Sequence, residues 1–389
     1  MKKILTINPG STSTKLAIFN DDTEVARKEL MHSVEEITAS PLMIDQLEFR
    51  SKAVKDFLDE SGIDIDSFDM ISCRGCSANG LNTGAYKVDE HVLTIVRHAA
   101  RSQHASSLAI LIASELVKDH PNVPLMFYDA PASTDASDKI RFTGRPEYKR
   151  TAADHALNSK IVAREVAESI GKPYEQCNII VAHLGGGITF SLHSGGKIVD
   201  VVEDDAGPMS PARAGRMPSN SLVSACYSGK YTRPQMTQYL RGKAGLVAYL
   251  GTQDAREVEK MIADGNQKAH DLYWYMSYQI AKAIGELYVA AHGKVDRIAI
   301  TGGMAHSKLL TGWIEEQVSF LAPVVIIPGE REMLALARGA LRVLSGEEQL
   351  QEYRWLPIDC YSLEEVREKY PLGSMADDYW LDDKPAKPE

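Results

Sequence analysis

The chain has 389 residues, of which 44% are hydrophobic and 25% are charged, the proportions of an ordinary globular protein. Its length favours two domains, because single hydrophobic cores rarely grow this large. The 43 Lys and Arg residues against 53 Asp and Glu residues give a net charge of −10, which disfavours nonspecific binding to nucleic acid or to an anionic membrane. No apolar segment approaches the roughly 20 residues of a membrane-spanning helix, so we expect neither nucleic acid nor a membrane as a partner.

The cysteine content and the first residues bear on the cell compartment. Five cysteines are few and odd in number for this length, which indicates reduced thiols and a cytoplasmic protein. The apolar run at residues 4–7 stops at Asn8-Pro9-Gly10 and is too short for the apolar region of a secretion signal.

The chain opens on two apolar runs, residues 4–7 and 16–19, which predict two strands joined by a polar turn. A turn that holds a phosphate needs an open backbone, hydroxyl groups and a cation. Four residues supply these groups: Gly10, Ser11, Ser13 and Lys15. A hydroxyl-rich hairpin turn that binds nothing is the common alternative.

The next segments alternate between helix and strand signals. Apolar residues recur at helical spacing in residues 41–61, and another helix is expected at 104–118. Short strands are expected at 68–72 and at 123–128, the second of which ends at Asp129. This alternation predicts an α/β sheet.

Near residue 178 the opening plan recurs: a strand at 178–182, a Gly-rich turn and a strand at 188–192. The repeat suggests a duplicated fold in which each domain has one phosphate-contacting hairpin facing a shared cleft; an accidental pair of hairpins is the alternative. Four further elements are expected downstream: a helix at 271–292, a strand from 297 leading to Gly302-Gly303, a strand at 323–327 and a helix at 332–344.

Three more Gly-rich turns each follow a buried strand: Gly185-Gly186-Gly187, Gly302-Gly303 and Gly329. With the first turn, they indicate a nucleotide cleft. Neither the G-x-x-x-x-G-K-[ST] loop nor a G-x-G-x-x-G helix start is present, and hairpins that hold phosphate are typical of the actin-like (ribonuclease H-like) fold. We therefore predict an α/β protein of two duplicated actin-like domains, residues 1–165 and 166–349, with an ATP cleft between them. Residues 350–389 would form a tail on the surface or at a subunit interface.

Seven motifs follow one another along the chain: Asn8-Pro9-Gly10-Ser11-Thr12-Ser13-Thr14-Lys15, His104-Ala105-Ser106, His155-Ala156-Leu157-Asn158, Ala182-His183-Leu184-Gly185-Gly186-Gly187, Gly207-Pro208-Met209-Ser210-Pro211, Gly245-Leu246-Val247-Ala248-Tyr249-Leu250-Gly251-Thr252 and Thr301-Gly302-Gly303. In order and separation they resemble butyrate kinases, a group of the acetokinase family, from residue 3 to about residue 350. Any one motif would be weak evidence, whereas seven in order are specific. The resemblance implies reversible transfer of the γ-phosphoryl group of ATP to a short-chain carboxylate, which gives an acyl phosphate and ADP.

That reaction brings two anions together, so cations must neutralise them and a metal must hold the phosphates. The resemblance implies that Arg74 and Arg213 frame the carboxylate and the transferred phosphoryl group. It implies that Asp129 and Glu332 are the acids on the Mg²⁺ side, and that His155 donates a hydrogen bond to the phosphoryl group. Each has a plainer alternative: surface arginines, an Asp in a turn and a helix-start Glu.

On the nucleotide side, the resemblance assigns phosphate contacts to Asn8 with the first turn and to His183 with Gly185, Gly186 and Gly187. Gly302 and Gly303 would let adenosine approach the backbone. The histidines at 104 and 183 could equally be structural. The first domain would be the carboxylate side and the second the nucleotide side, and a homo-oligomer, a dimer or larger, is implied.

Two segments depart from the pattern of butyrate kinases. Cys73-Arg74-Gly75-Cys76 replaces the usual Gly-Arg-Gly-Gly; a zinc or redox site is one interpretation, and small buried or pocket-lining residues are the preferred one. Residues 130–135 replace a valine-rich stretch. If they line the acyl pocket, each lost methylene contact is worth about 0.8 kcal/mol, so the preferred acid would differ from butyrate.

Three alternatives stay open from the sequence. The substrate could be acetate or propionate within the same chemistry. The chain could be an ATP-binding relative without activity, although the retained charged residues argue against that. An actin-like chaperone is the third, but only about 40 residues follow the last expected core helix, too few for an added substrate domain.

Overall fold

The computed structural model describes residues 1–40, 42–76, 80–100, 105–131 and 133–374. Its contacts group the chain into two compact units. Unit 1 comprises Met1–Thr151 and the chain from Arg331 onward, and unit 2 comprises Ala152–Glu330. These divisions differ from the expected boundaries at 165/166 and 349/350, because the helix that starts at Ala156 packs on strands of unit 2 and the helix that starts at Glu332 packs on strands of unit 1.

Unit 1 is built on a six-stranded sheet with the order β3-β2-β1-β4-β6-β5. Its strands are β1 (Lys3–Pro9), β2 (Ser13–Asn20), β3 (Thr23–Met31), β4 (Met70–Arg74), β5 (Ala85–Lys87) and β6 (Leu125–Tyr128). β1 pairs antiparallel with β2, from Lys3 opposite Asn20 to Pro9 opposite Thr14. This confirms the expected opening hairpin and leaves residues 10–13 as its turn.

The helices of unit 1 are α1 (Val34–Ala39), α2 (Leu47–Ser61), α3 (Glu90–His98), α4 (Leu108–Val117), α12 (Glu332–Ser345) and α13 (Leu363–Lys369). The apolar helix α4 packs on β1, β4 and β6, and six of its ten residues from Leu108 to Ala113 are fully buried. α12 packs on β1 and β4. The start of α12 is thereby brought to the carboxyl ends of these two strands.

The C-terminal segment from residue 350 to 374 is part of the core of unit 1. Gln351 donates its N–H to Ala85 O at 2.8 Å and accepts from Lys87 N at 3.0 Å, which extends the sheet beside β5. Tyr353, Cys360 and Val366 are buried in the same core. The described part of the expected tail therefore packs as core structure.

Unit 2 is built on a five-stranded sheet with the order β11-β10-β7-β8-β9. Its strands are β7 (Asn178–Leu184), β8 (Ile188–Ser194), β9 (Lys197–Val202), β10 (Arg297–Gly302) and β11 (Val324–Pro328). β7 and β8 form the expected second hairpin, and β10 runs parallel to both β7 and β11.

The two sheets repeat one plan. In each sheet, the first strand pairs antiparallel with the second, and the second pairs antiparallel with the third. The first strand also pairs parallel with a later strand, and that strand pairs parallel with one more. The order β3-β2-β1-β4-β6 in unit 1 thus matches β9-β8-β7-β10-β11 in unit 2. This confirms the duplication inferred from the two hairpins.

The helices of unit 2 are α5 (Ala156–Ser169), α6 (Ser219–Cys226), α7 (Arg233–Leu240), α8 (Leu246–Leu250), α9 (Ala255–Ala263), α10 (Gln267–Ala290) and α11 (Lys308–Val318). α10, expected at 271–292, packs on α9, α11 and the sheet. α6 contains no buried residue. Within the described chain, no helix combines the length and the apolar character that crossing a membrane requires.

Candidate active site

The first hairpin turn is tight and partly exposed. Gly10 N donates to Ser13 O at 2.7 Å, and Ser11 is exposed. Ser13 is buried, and its hydroxyl donates to Glu29 at 3.0 Å. Of the predicted phosphate contacts, Ser13 therefore has its hydroxyl proton directed at an acid within unit 1, while Gly10 and Ser11 present the backbone of the turn.

Asn8, Arg74 and Glu332 meet in one hydrogen-bonded group. Asn8 Nδ2 donates to Glu332 Oε2 at 2.7 Å, and Arg74 Nη1 lies 2.8 Å from Glu332 Oε1 and 3.4 Å from Asn8 Oδ1. The side chains of Arg74 and Glu332 are only 17% and 11% exposed. Charge-assisted bonds of this kind hold a guanidinium in one orientation.

One donor of this group has no hydrogen-bond acceptor. Arg74 Nε is buried and makes no hydrogen bond within the described residues. A buried donor without a partner is costly. An anionic ligand that reached Nε would remove this cost.

Asp129 follows β6 directly and is buried. Its backbone has a φ of 41°, a left-handed conformation that a non-glycine residue rarely adopts. Its Oδ1 accepts from Gly84 N at 2.7 Å, and its own N–H donates to Gly84 O at 3.0 Å. Strained backbone of this kind is characteristic of functional positions and persists only where the surroundings enforce it.

Glu348 helps to hold the backbone around Asp129 in place. It accepts from Tyr128 Oη at 2.9 Å, from Arg342 Nε at 3.1 Å and from Ala85 N at 3.1 Å. Burial raises the pKa of Tyr128 well above its ordinary value, and the charge of Asp129 adds to this shift, so the phenol remains a donor. Glu348 therefore binds the residue before Asp129 and the residue after Gly84.

The two unusual cysteines are buried, as expected. Burial raises the pKa of Cys76 to about 12 and raises that of Cys73 further, so both thiols stay protonated. A Cβ on Gly75 would lie 2.4 Å from Ala130 Cβ, so only glycine permits this loop to pack on Ala130. No cluster of three or more potential metal-ligating side chains occurs in the described ranges.

In the segment 130–135, Ala130, Ser133 and Asp135 pack or bond within unit 1. Ala130 and Ser133 are buried. Asp135 accepts hydrogen bonds from both the backbone N–H and the hydroxyl of Thr83, at 3.0 and 2.6 Å. Ala132 lies outside the described residues, and a contact of this segment with an acyl chain stays a prediction.

In unit 2, a chain of hydrogen bonds orients His155. Thr189 Oγ1 donates to Asp154 Oδ1 at 2.6 Å and lies 2.8 Å from His155 Nδ1. Ser159 donates to the other oxygen of Asp154 at 2.5 Å. Because the single hydroxyl proton of Thr189 goes to Asp154, His155 Nδ1 must be the donor to Thr189. Donation from its Nε2 therefore requires the imidazolium form.

The neutral ring of His183 carries its proton on the other nitrogen. Asn158 Nδ2 lies 3.1 Å from His183 Nδ1 and 3.4 Å from Thr301 Oγ1, so it donates to the ring and leaves the proton of neutral His183 on Nε2. The rings of His155 and His183 stack with centroids 4.1 Å apart and planes 7° from parallel. Two positive charges at this distance would repel each other.

Arg213 contacts the second Gly-rich turn. A Cβ on Gly187 would lie 2.4 Å from Arg213 Nη1, so the guanidinium packs directly against the backbone of this turn. Asp204 forms ion pairs with both Arg213 and Arg241. Burial, and next the charge of Arg241, lower the pKa of Arg213.

The third Gly-rich turn closes on the first strand of unit 2. Gly302 has a φ of 90°, and a Cβ there would lie 2.4 Å from Leu184 O. Gly302 and Gly329 exchange backbone hydrogen bonds of 3.1 and 3.0 Å. Gly303 is exposed next to this pair.

The structure thus places the predicted residues in two sets. Unit 1 holds Asn8, Arg74, Asp129 and Glu332 with the first turn, including Lys15, and unit 2 holds His155, His183, Arg213 and the other Gly-rich turns. The histidine at 104 lies outside the described residues.

Sequence reasoning missed four partners: Asp154, Asn158, Thr189 and Glu348. Asn158 lies in the motif His155-Ala156-Leu157-Asn158 and could have been found, whereas Thr189 looks like any residue of an apolar strand.

Comparison with known proteins places these features in a family. Residues 148–316 match the model of the Acetokinase family. Over 354 residues the chain is 42% identical to Butyrate kinase 2 of Clostridium acetobutylicum, an alignment that covers 90% of this chain and 99% of that protein. The chain belongs to the acetokinase family. Butyrate kinase 1 of the same organism is 40% identical over 357 residues, 91% of this chain and 100% of that protein.

Solved structures confirm the fold of this acetokinase family member. The acetate kinase of Porphyromonas gingivalis superposes with a TM-score of 0.72 at 17% identity, over 88% of this chain and 100% of that one. A propionate kinase of Francisella tularensis subsp. tularensis SCHU S4 gives 0.69 at 18% identity, over 87% and 99%. The predicted α/β class of paired actin-like domains is therefore confirmed.

Replacing Thr189 by Val should remove the bond that orients His155 while preserving shape. We expect kcat to fall roughly 10- to 100-fold, because His155, the predicted hydrogen-bond donor to the phosphoryl group, loses its fixed orientation, with little change in melting temperature. Steady-state kinetics and thermal melting measure this. Ser191→Ala is the matched control, because Ser191 lies on the same buried strand but bonds to His193; equal losses in both variants would contradict the assigned role of Thr189.

Proposed function

We propose that the chain is an ATP-dependent kinase that phosphorylates a short-chain carboxylate, reversibly, to an acyl phosphate. Membership of the acetokinase family and 42% identity to a butyrate kinase support this activity. The observation that carries the proposal is the group of Asn8, Arg74 and Glu332, which holds a partly buried arginine whose Nε is unpaired among the described residues. A carboxylate is the complementary acceptor for such a guanidinium.

Transfer of the phosphoryl group to a carboxylate requires little acid or base catalysis. An oxygen of the carboxylate forms a bond to the γ-phosphorus while the bond from that phosphorus to the bridging oxygen breaks, and the electron pair leaves with ADP. An ionised carboxylate has no proton to lose, so no general base is required. Catalysis then consists of positioning the reactants and neutralising their charge.

Cationic side chains take that neutralising role in the proposal. Arg74 binds the carboxylate, and Arg213 binds the transferred phosphoryl group. His155, in its imidazolium form, donates from Nε2 to a phosphoryl oxygen, and the Asp154 carboxylate stabilises that charge through Thr189. Neutral His183 is a second Nε2 donor. The stacking of the two rings favours this division of one charged and one neutral imidazole.

The nucleotide would be held by backbone as much as by side chains. Asn8 and the turn with Gly10, Ser11, Ser13 and Lys15 are proposed to contact phosphate, as are Gly185, Gly186 and Gly187. Gly302 and Gly303 would let the adenosine approach the backbone. Close approach requires residues without Cβ atoms, and the crowding at Gly187 and Gly302 fits that requirement.

A magnesium ion fits the available acids. Mg²⁺ in phosphoryl-transfer sites takes one or two carboxylates and otherwise phosphate oxygens and water. Asp129 and Glu332 are the proposed carboxylates. Glu332 lies beside Asn8 and Arg74 in the hydrogen-bonded group described above. When bound, the ion would neutralise phosphate charge.

The preferred acid is proposed to be butyrate or a related small or branched acid, with acetate and propionate as the alternatives. Hydroxylamine traps acyl phosphates, so we would measure ATP-dependent hydroxamate formation over straight and branched acids of two to six carbons. We expect one clear optimum, and a loss on the order of 10²-fold or more for Arg74→Met. Arg354→Met, which removes a half-exposed arginine of the C-terminal segment, is the control. No hydroxamate from any acid, or near-normal turnover of Arg74→Met, would contradict the proposal.

We also propose that the protein is cytoplasmic and assembles as a homo-oligomer. All five cysteines are free thiols, as in a reducing compartment. α6 has eight residues and buries none within its unit, and helices this short are unstable in water without packing. Val223 and Tyr227 on this segment are 55% and 88% exposed, so a second copy of the chain is the proposed cover.

Light scattering tests the assembly. The wild type should have the mass of a dimer or a larger oligomer, and Val223→Asp combined with Tyr227→Asp should lower that mass to one chain, because buried charges destabilise an interface. Phe320→Asp is the control, since Phe320 is 80% exposed on another segment. A monomeric wild type, or an unchanged mass in the double variant, would refute the assignment of this face.

A further inference from the structure

Arg50 lies in the middle of α2 and is fully buried. Its guanidinium makes five hydrogen bonds, and four of them go to the first hairpin turn and the residue after it. Nη1 lies 3.1 Å from Gly10 O, Ser13 O and Thr14 Oγ1, and Nη2 lies 3.1 Å from Ser11 O. Nε donates to Gln46 Oε1 at 3.1 Å, which fixes the plane of the group.

The partners of Arg50 are neutral. Among the described residues no carboxylate lies within ion-pair distance of it. Burial lowers the pKa of Arg50 to about 10, which still leaves it positively charged at neutral pH. A buried cation without a counter-ion is unfavourable. Its retention under this turn therefore points to a negative charge that none of the described residues supplies.

Peptide geometry shows what these bonds do to the turn. In a trans peptide the C=O and N–H groups point in opposite directions. The C=O of Gly10 and the N–H of Ser11 belong to one peptide group, and the C=O of Ser11 and the N–H of Thr12 belong to the next. Because Arg50 binds both oxygens, both N–H groups point away from it. Ser11 and Thr12 are exposed, and neither N–H is bonded to an acceptor of the described chain.

His32 completes this arrangement. Its N–H donates to Thr12 O at 2.9 Å, and its Nε2 lies 2.8 Å from Thr14 Oγ1. Burial, and next the charge of Arg50, lower the pKa of His32. The oxygens of Gly10, Ser11 and Thr12 are therefore all bonded to groups of unit 1, and the N–H groups of Ser11 and Thr12 are left as anion donors.

We propose that Arg50 is a positioning residue for the phosphate groups of ATP: it holds the carbonyls of the first turn so that the N–H groups of Ser11 and Thr12 bind phosphate, and its charge lies beneath them. This inference rests on the proposed function, in which this turn contacts ATP. Arg50 itself does not touch the nucleotide.

The test compares Arg50→Lys with the wild type in the binding of AMPPNP, a non-hydrolysable ATP analogue, and of adenosine, by calorimetry. Lysine keeps the charge but cannot bond Gly10 O, Ser11 O and Gln46 Oε1 in one plane. We expect AMPPNP affinity to fall roughly tenfold or more, since misdirected donors to a charged phosphate lose bonds of this strength. Adenosine affinity and the KM of the carboxylate should stay within twofold.

The control is Lys52→Gln, which removes an exposed positive charge from the same helix and should leave both affinities unchanged. If Arg50→Lys does not fold, Gln46→Met removes the acceptor of Arg50 Nε instead and should weaken AMPPNP binding selectively, by a smaller factor. The proposal is wrong if the folded variants bind AMPPNP normally, or if AMPPNP and adenosine weaken together.

The hydroxamate assay on the wild type separates this proposal from the proposed function. An active wild type with normal AMPPNP binding in the variants would refute the role of Arg50 alone. A wild type that forms no acyl phosphate, but whose AMPPNP binding depends on Arg50, would refute the proposed reaction alone.

Discussion

Glu332 accepts hydrogen bonds from Asn8 and Arg74 at the same time, and these bonds join the ends of β1 and β4 to the start of α12. A guanidinium that is already held in one orientation loses little conformational freedom when it binds an anion. The chain has a net charge of −10 and offers anionic substrates no general attraction. Local cations, each held in place, must supply what the overall charge does not.

The three arginines to which we assign proposed roles are held by different kinds of partner. Arg74 is held by Glu332 and Asn8, Arg213 by Asp204 and the open backbone at Gly187, and Arg50 by carbonyl oxygens. The difference matters for charge. A carboxylate partner offsets part of the positive charge of Arg74 and Arg213, whereas the carbonyl partners of Arg50 leave its charge uncompensated until an anion binds.

Much of the fold could be predicted from residue patterns. The two hairpins were visible because each sets a buried strand on either side of a glycine-containing turn, and their repetition indicated the duplication. The strand β3 was missed because its sequence, Thr23–Met31, is largely charged and exposed, as an edge strand can be. The unit boundaries differ because α12 returns to β1, a contact across more than 300 residues that no local pattern reveals.

The sequence names candidate residues for the site but not the groups that surround them. His155 lies in one of the seven motifs and Arg74 and Arg213 follow from the resemblance, whereas the groups that orient them are visible only in the structure. Arg50 reads in the sequence as one of several polar residues on a helix. Its burial depends on carbonyl oxygens 37 to 40 residues away, and backbone acceptors leave no signature in a sequence. Thr189 was hidden for a similar reason, because its role depends on a hydroxyl direction.

The most direct test that the carboxylate receives the γ-phosphoryl group is the ³¹P NMR spectrum of a reaction with ¹⁸O-labelled carboxylate and unlabelled ATP. Attack of the carboxylate on the γ-phosphorus predicts an acyl phosphate whose phosphorus resonance is shifted by one bridging ¹⁸O, formed in equal amount with ADP. Inorganic phosphate and ADP with no labelled acyl phosphate would show that water, not the carboxylate, receives the phosphoryl group.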